Sequence, residues 1–210
     1  AAVRLAEGLS DPLLLLGQAL VQLDRREEAL AALQKALAIQ ESAEVHINVA
    51  LLHDKAGRLD QAVASFQRAL LLAPGHEMIL RTYGLVLCRH KKFAQAIRIW
   101  EAGLKSNPGS AVLSYHLAWW LATCPDAAVR NGKRAAQLAQ ALCERTGRKD
   151  ALALDALAAA HAEIGQFKSA VAVATEAMNL ARAQKRTALA GEISARINLY
   201  MAAKPYRQPQ

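Results

Sequence analysis

Residues 77–108 read EMILRTYGLVLCRHKKFAQAIRIWEAGLKSNP, and two apolar stripes run through them. Leu80, Tyr83, Gly84 and Leu87 recur at helix spacing, and Ala96 and Trp100 start a second set at the same spacing. Arg89-His90-Lys91-Lys92 lies between the sets, a polar break short enough to fold the second helix back on the first. Gly84 and Ala96 are small where two helix axes must come close, and Trp100 is large enough to fill the space beside them. Asn107-Pro108-Gly109 ends the second helix, because a residue before proline avoids the helical region and glycine permits a sharp turn. The stretch predicts one antiparallel helix hairpin.

On either side of it the same order of residues returns. The small residue near the start of the second helix recurs at Ala29, Ala62, Ala96, Ala135 and Ala170, at intervals of 33, 34, 39 and 35 residues. Recurrence in phase over nearly the whole chain argues for a stack in which each hairpin buries its core against its neighbours. Composition agrees: the 210 residues are 53% hydrophobic with only 11 Gly and 6 Pro, and no period-two alternation is long enough for a sheet.

The pattern Leu80-x-x-Tyr83-Gly84-x-x-Leu87, Ala96-x-x-x-Trp100, Pro108 resembles the tetratricopeptide repeat (TPR), a unit of ~34 residues built from W-x-x-L-G-x-x-Y, A-x-x-x-F and P. Leu80 stands where the family's first Trp falls, and Trp100 where its Phe falls. The resemblance implies an all-α, right-handed superhelical solenoid of about five TPR hairpins plus a capping helix. Repeats are expected at about 10–42, 43–76, 77–110, 111–149 and 150–183, the cap at 187–203 and a tail at 204–210. Residues 1–9, with Ala2, Leu5 and Leu9 at helix spacing, read as the end of a preceding repeat helix. Ser10-Asp11-Pro12 then reads as a helix end and a new start, with Ser or Asp as the cap and Pro in the first turn. In the first repeat Leu13, Leu16, Gly17 and Leu20 are expected to face Ala29, Leu33 and Ala36. The final helix, Thr187 to Ala203, has no helix to pair with in this scheme.

The fourth repeat is the irregular one. Its turn, Thr123 to Gly132, is about five residues longer than the others, and is either a contact loop or a tolerated insertion. A helix ending in Trp119-Trp120 and running into Thr123-Cys124-Pro125-Asp126 resembles the C-terminal TPR array of larger, bacterial multidomain proteins.

Sequence patterns for catalysis are missing. There is no H-E-x-x-H, no G-x-G-x-x-G and no G-x-x-x-x-G-K-[ST], and His161-x-Glu163 lacks the Pro-Cys-x-x-Cys of a zinc deaminase. No cofactor is implied. His46 and His53, with Glu44 and Asp54 nearby, fit ordinary packing and solvation better than a metal site. Cys88, Cys124 and Cys143 are odd in number without a C-x-x-C pair, which suits buried thiols and not a disulfide framework. The leucines at 13–16 and the apolar run 151–160 are too short or too interrupted to cross a bilayer. The reading is a soluble, non-enzymatic domain, with cytoplasm and periplasm both open as compartments.

Function then falls to surfaces, and the resemblance implies where. In TPR stacks the first helices line a concave groove that holds a peptide or a partner helix. Carried onto this chain, that inner stripe includes Leu14, Gln18, Val21, Ile47, Leu51, Asp54, Arg81, Leu85, Cys88, Tyr115, Trp119, Ala122, Asp155, Ala159 and Ala162. Leu14 and Gln18 stand where a carboxylate clamp would have Lys and Asn, and Asn48 alone matches a clamp position. The groove candidates are therefore Gln18, Asn48, Asp54, Arg81, Leu85, Tyr115 and Trp119. Tyr115 and Trp119 lead, because they share a helix face and aromatic side chains dominate binding hot spots. One of the adjacent pair Trp119-Trp120 is expected to point inward.

Charge supplies a second candidate surface. The net charge is +8, and between Met78 and Lys149 there are 12 Lys or Arg against Glu101, Asp126 and Glu144. Arg89, Lys91, Lys92, Arg130, Lys133 and Arg134 form a candidate basic surface for nucleic acid or another polyanion. A third reading is a substrate-positioning appendage of an enzyme such as a glycosyltransferase.

Overall fold

The computed structural model describes residues 2–209, with side chains from residue 11 onward. Among the described residues there are eleven helices and no strand. They are α1 (Ala2–Gln22), α2 (Arg26–Ile39), α3 (Ala43–Lys55), α4 (Leu59–Leu72), α5 (Glu77–Arg89), α6 (Phe93–Ser106), α7 (Ala111–Thr123), α8 (Gly132–Arg145), α9 (Ala151–Glu163), α10 (Phe167–Ala183) and α11 (Thr187–Met201). The chain divides into two compact units, 1–86 and 87–210.

In the first unit α1 pairs with α2 and α3 with α4. The expected break at Ser10-Asp11-Pro12 is absent from the backbone, which runs as one helix with Pro12 inside it. Proline's fixed φ is itself helical; what it removes is one donor to the preceding turn, and the helix continues around that gap. The stripe of Ala2, Leu5 and Leu9 lies outside the described side chains. Gly17 meets α2 closely: a Cβ there would fall 2.7 Å from Leu33 Cδ2. Leu16 departs from its expected place and is 49% exposed, so Leu20, Leu33, Ala29 and Ala36 make the buried seam without it. Phe66 on α4 stacks on Tyr83 at 5.0 Å between centroids.

In the second unit three helix starts carry side-chain caps. Ser110 Oγ accepts from Leu113 N at 3.0 Å, Asn131 Oδ1 from Arg134 N at 3.0 Å, and Asp150 Oδ1 from Leu152 N at 2.9 Å. Each satisfies an amide that a helix start leaves unbonded. Fully buried Trp100 lies against His116 and Trp120 at 5.6 and 6.4 Å. The helix at Thr187 is not unpartnered: α11 packs on α10, forming a further hairpin with it. Its side chains reach α9 as well, through Arg196.

Candidate functional site: the aromatic and arginine cluster of α7, α9 and α11

Helix α9 is almost wholly apolar, Ala151 to Ala160, yet Asp155 sits in its middle at 1% exposure. A buried carboxylate needs a partner. Arg196 of α11 supplies it with a forked pair, Nε to Oδ1 at 3.1 Å and Nη2 to Oδ2 at 2.7 Å. Burial pushes the Asp155 carboxyl up to about 6, against the pull of Arg196.

The same guanidinium lies over two rings, 5.2 Å from the Trp119 centroid and 5.4 Å from that of Tyr206. Cation–π attraction is strongest over Trp and grows when the cation is desolvated. Tyr115 stacks on Trp119 at 6.2 Å, one helical turn away, and burial raises its phenol. Tyr206 closes the other side of Trp119 at 5.9 Å. The aromatic pair read from the sequence is therefore brought together, but it is not open: Trp119 is 7% exposed beneath the chain's own Tyr206. Trp120 turns to the other side, stacking on Phe93 at 5.7 Å.

A second hub is Glu163, at the end of α9. Arg130 Nε donates to its Oε1 at 2.9 Å, and Arg207 Nη2 pairs with its Oε2 at 2.6 Å. Arg130 Nη1 also donates to the carbonyls of Cys124 and Pro125 at 2.8 and 3.1 Å. Arg130 is thus a staple of the long turn and leaves the expected basic surface, whereas Lys91, Lys92, Lys133 and Arg134 are exposed, as is Arg89. The turn itself is tied down, with Asp126 accepting from Ala128 N at 2.9 Å and Asn131 N donating to Leu121 O at 2.9 Å.

The remaining groove candidates lie in the first unit. Gln18 donates to Glu44 Oε1 at 3.2 Å, and Asn48 bonds the Glu44 carbonyl of its own helix at 2.9 Å. Asp54 and Leu85 are half-buried, and Arg81 leans back on Met78 Sδ at 3.5 Å. His46 faces Glu41, at 3.3 Å. Among the described residues no three His, Cys, Asp or Glu side chains come together as a metal site, and no helix is long and apolar enough to cross a membrane.

Arg196, Tyr206 and Arg207 were not singled out from the sequence as site residues. A signal existed: a lone aspartate inside an apolar helix calls for a cation from elsewhere in the fold. Sequence alone could not say which of 26 Lys and Arg would answer.

A chain of helices that pack in successive pairs defines a helical-repeat protein. Tetratricopeptide-repeat family models match residues 10–42 and 43–76. Residues 10–76 thus carry two tetratricopeptide repeats. A comparison with curated protein sequences found no match. Solved structures share the fold at low identity. A tetratricopeptide repeat protein from Parabacteroides merdae is 16% identical with a TM-score of 0.72, over 93% of this chain and 75% of that one. PilF of Pseudomonas aeruginosa is 17% identical with a TM-score of 0.60, over 94% and 93%. YrrB, a TPR protein with an unusual peptide-binding site, is 17% identical with a TM-score of 0.62, over 88% and 91%.

Proposed function

We propose that the chain is a non-catalytic protein–protein interaction scaffold that holds a peptide or partner helix along the inner stripe of its first helices. The observation that carries this reading is on α7. Its Thr123 carbonyl accepts a backbone N–H from Gln208, a residue of a non-helical segment, while Trp119 accepts that segment's Tyr206 ring. A surface that takes one irregular segment by main-chain hydrogen bond and aromatic contact is suited to peptide recognition. The peptide-binding site attributed to YrrB, on a similar fold, supports the same reading.

Site-specific photocrosslinking tests it. A benzophenone amino acid replaces Gln18, Asn48 or Leu85 on the stripe, and Lys35, Arg98 or Lys168 on exposed outer positions. Protein crosslinks in nuclease-treated lysate are expected from the first set alone. Equal yields from both sets would defeat the groove. Crosslinking seen only in untreated lysate, or falling steeply with salt, would transfer the function to the basic surface.

A further inference from the structure

The stretch after α11 does more than end a helix. Ala203 takes φ +53°, and Lys204 N donates to Leu199 O at 2.9 Å, which turns the chain off the helix axis. Pro205 and Pro209 follow, and each keeps the residue before it out of the helical region. All three residues between them contact side chains or carbonyls of α7, α9 or α11. Tyr206 covers Trp119 and the Arg196 guanidinium, Arg207 pairs with Glu163, and Gln208 N donates to Thr123 O at 2.8 Å. Arg207 Nη1 also reaches the Ala122 carbonyl at 3.4 Å.

What receives the segment is held without it. Arg196 is fixed by Asp155 and Glu163 by Arg130, neither of which belongs to the segment. Pulling out residues 205–208 would leave a flat aromatic–cation platform, a half-used carboxylate and two carbonyls, all in place. A preorganised receptor of that chemistry selects an aromatic residue followed by arginine, in a non-helical stretch.

We infer that this is a recognition site for a partner peptide carrying an aromatic–arginine pair, occupied here in cis by Tyr206-Arg207. The inference rests on the peptide-scaffold reading and names the partner's chemistry. An incoming peptide must displace the internal segment, whose tethering gives it an effective concentration of about millimolar.

The test uses the full chain and a fluorescein-labelled hexapeptide of sequence Lys-Pro-Tyr-Arg-Gln-Pro, followed by anisotropy. Tyr206→Ala/Arg207→Ala is expected to bind it saturably, and the parent chain at least about 10-fold more weakly because its own segment competes. Adding Glu163→Gln to the double variant should weaken binding again by about 10-fold, the loss of a charge-assisted contact. A hexapeptide with Ala for Tyr and Arg should not bind. Circular dichroism verifies that each variant keeps its helices; should the double variant lose them, Arg207→Gln alone is compared with the parent, with the same order of affinities expected. No binding to a folded opened variant, or equal binding to parent and variant, overturns the inference and leaves the segment an internal strap. Stripe crosslinks with no hexapeptide binding would retain the scaffold reading and reject only this ligand; loss of both would remove the reading as well.

Discussion

Arg196 and Asp155, 41 positions apart in the chain, close on each other in a buried forked pair at 2.7 and 3.1 Å. Asp155 is 1% and Arg196 6% exposed, so water cannot replace either partner if the other is removed. Asp155→Ala should therefore cost about 3–5 kcal/mol, most of it from an uncompensated buried guanidinium. Asp155→Leu/Arg196→Leu together should cost far less than the sum of the single changes. Urea unfolding of the three variants at pH 7 measures this; additive losses would mean that the pair is not energetically coupled.

Protonation of Asp155 gives that pair a pH dependence. Its carboxyl is pushed from an ordinary 3.8 to about 6, chiefly by burial. Between those values the folded chain holds a proton that the unfolded chain has released. Asp155's contribution to stability thus falls as pH rises from about 4 to 6 and is level above. Glu176, held below its usual range by Arg148, acts in the opposite sense and loses its contribution on acidification. Comparing parent and Asp155→Asn urea midpoints at pH 4.5 and 7 isolates the first effect. The parent's advantage should be larger at pH 4.5, and the reverse slope would show an ion pair favoured strongly enough to outweigh desolvation.

Gly132, at the start of α8, lies under the Glu163 hub. An added Cβ would fall 2.7 Å from Ile164 Cγ2 and 2.8 Å from Glu163 Cγ. Gly132→Ala is expected to destabilise by about 1–3 kcal/mol, as overpacked sites do. Gly191→Ala, where nothing lies within 4 Å, should not destabilise, because alanine is the better helix former. Thermal melts of the two read the contrast; equal shifts would mean that the close approach at Gly132 is not felt.

Two turns use the left-handed region with opposite residue choices. Gly57 sits at φ +72° and Lys91 at φ +59°. Lys91→Gly should stabilise by about 0.5–1 kcal/mol and Gly57→Ala destabilise by about 1 kcal/mol, because a Cβ is penalised there. Chemical denaturation reads both signs, and a loss on Lys91→Gly would mean that the lysine side chain outweighs its backbone strain.

All three cysteines are buried. Burial pushes the Cys88 thiol up to about 12 and Cys143 up to about 11, and raises Cys124 as well. At pH 8 almost no thiolate forms, so a disulfide reagent should label none of them in the native chain within minutes and all three in urea. Fast labelling of any one in the native state would show that its helix opens locally.

Much of the fold was legible as period and spacing. Ala29, Ala62, Ala96, Ala135 and Ala170 are each 0% exposed, which is why selection for smallness repeats at those places. The short polar turn at residues 89–92, between α5 and α6, was legible for the same local reason. At Pro12 local reasoning misplaced the helix end, because a helix can run past one missing donor. It also put Leu16 inside, since spacing alone does not set how wide a buried stripe is.

The division follows from the range of the forces. By itself the sequence determined an all-helical chain of repeated hairpins and put Tyr115 and Trp119 on one helix face, because helix periodicity and close helix packing act over a few residues. Only the tertiary structure decided that Arg196 answers Asp155, that Arg130 is taken by Glu163, and that Tyr206 and Arg207 fold back over Trp119 and Glu163. Those pairings join residues 33 to 87 positions apart. Any of several arginines could have satisfied each carboxylate, and chain packing selected the ones within reach.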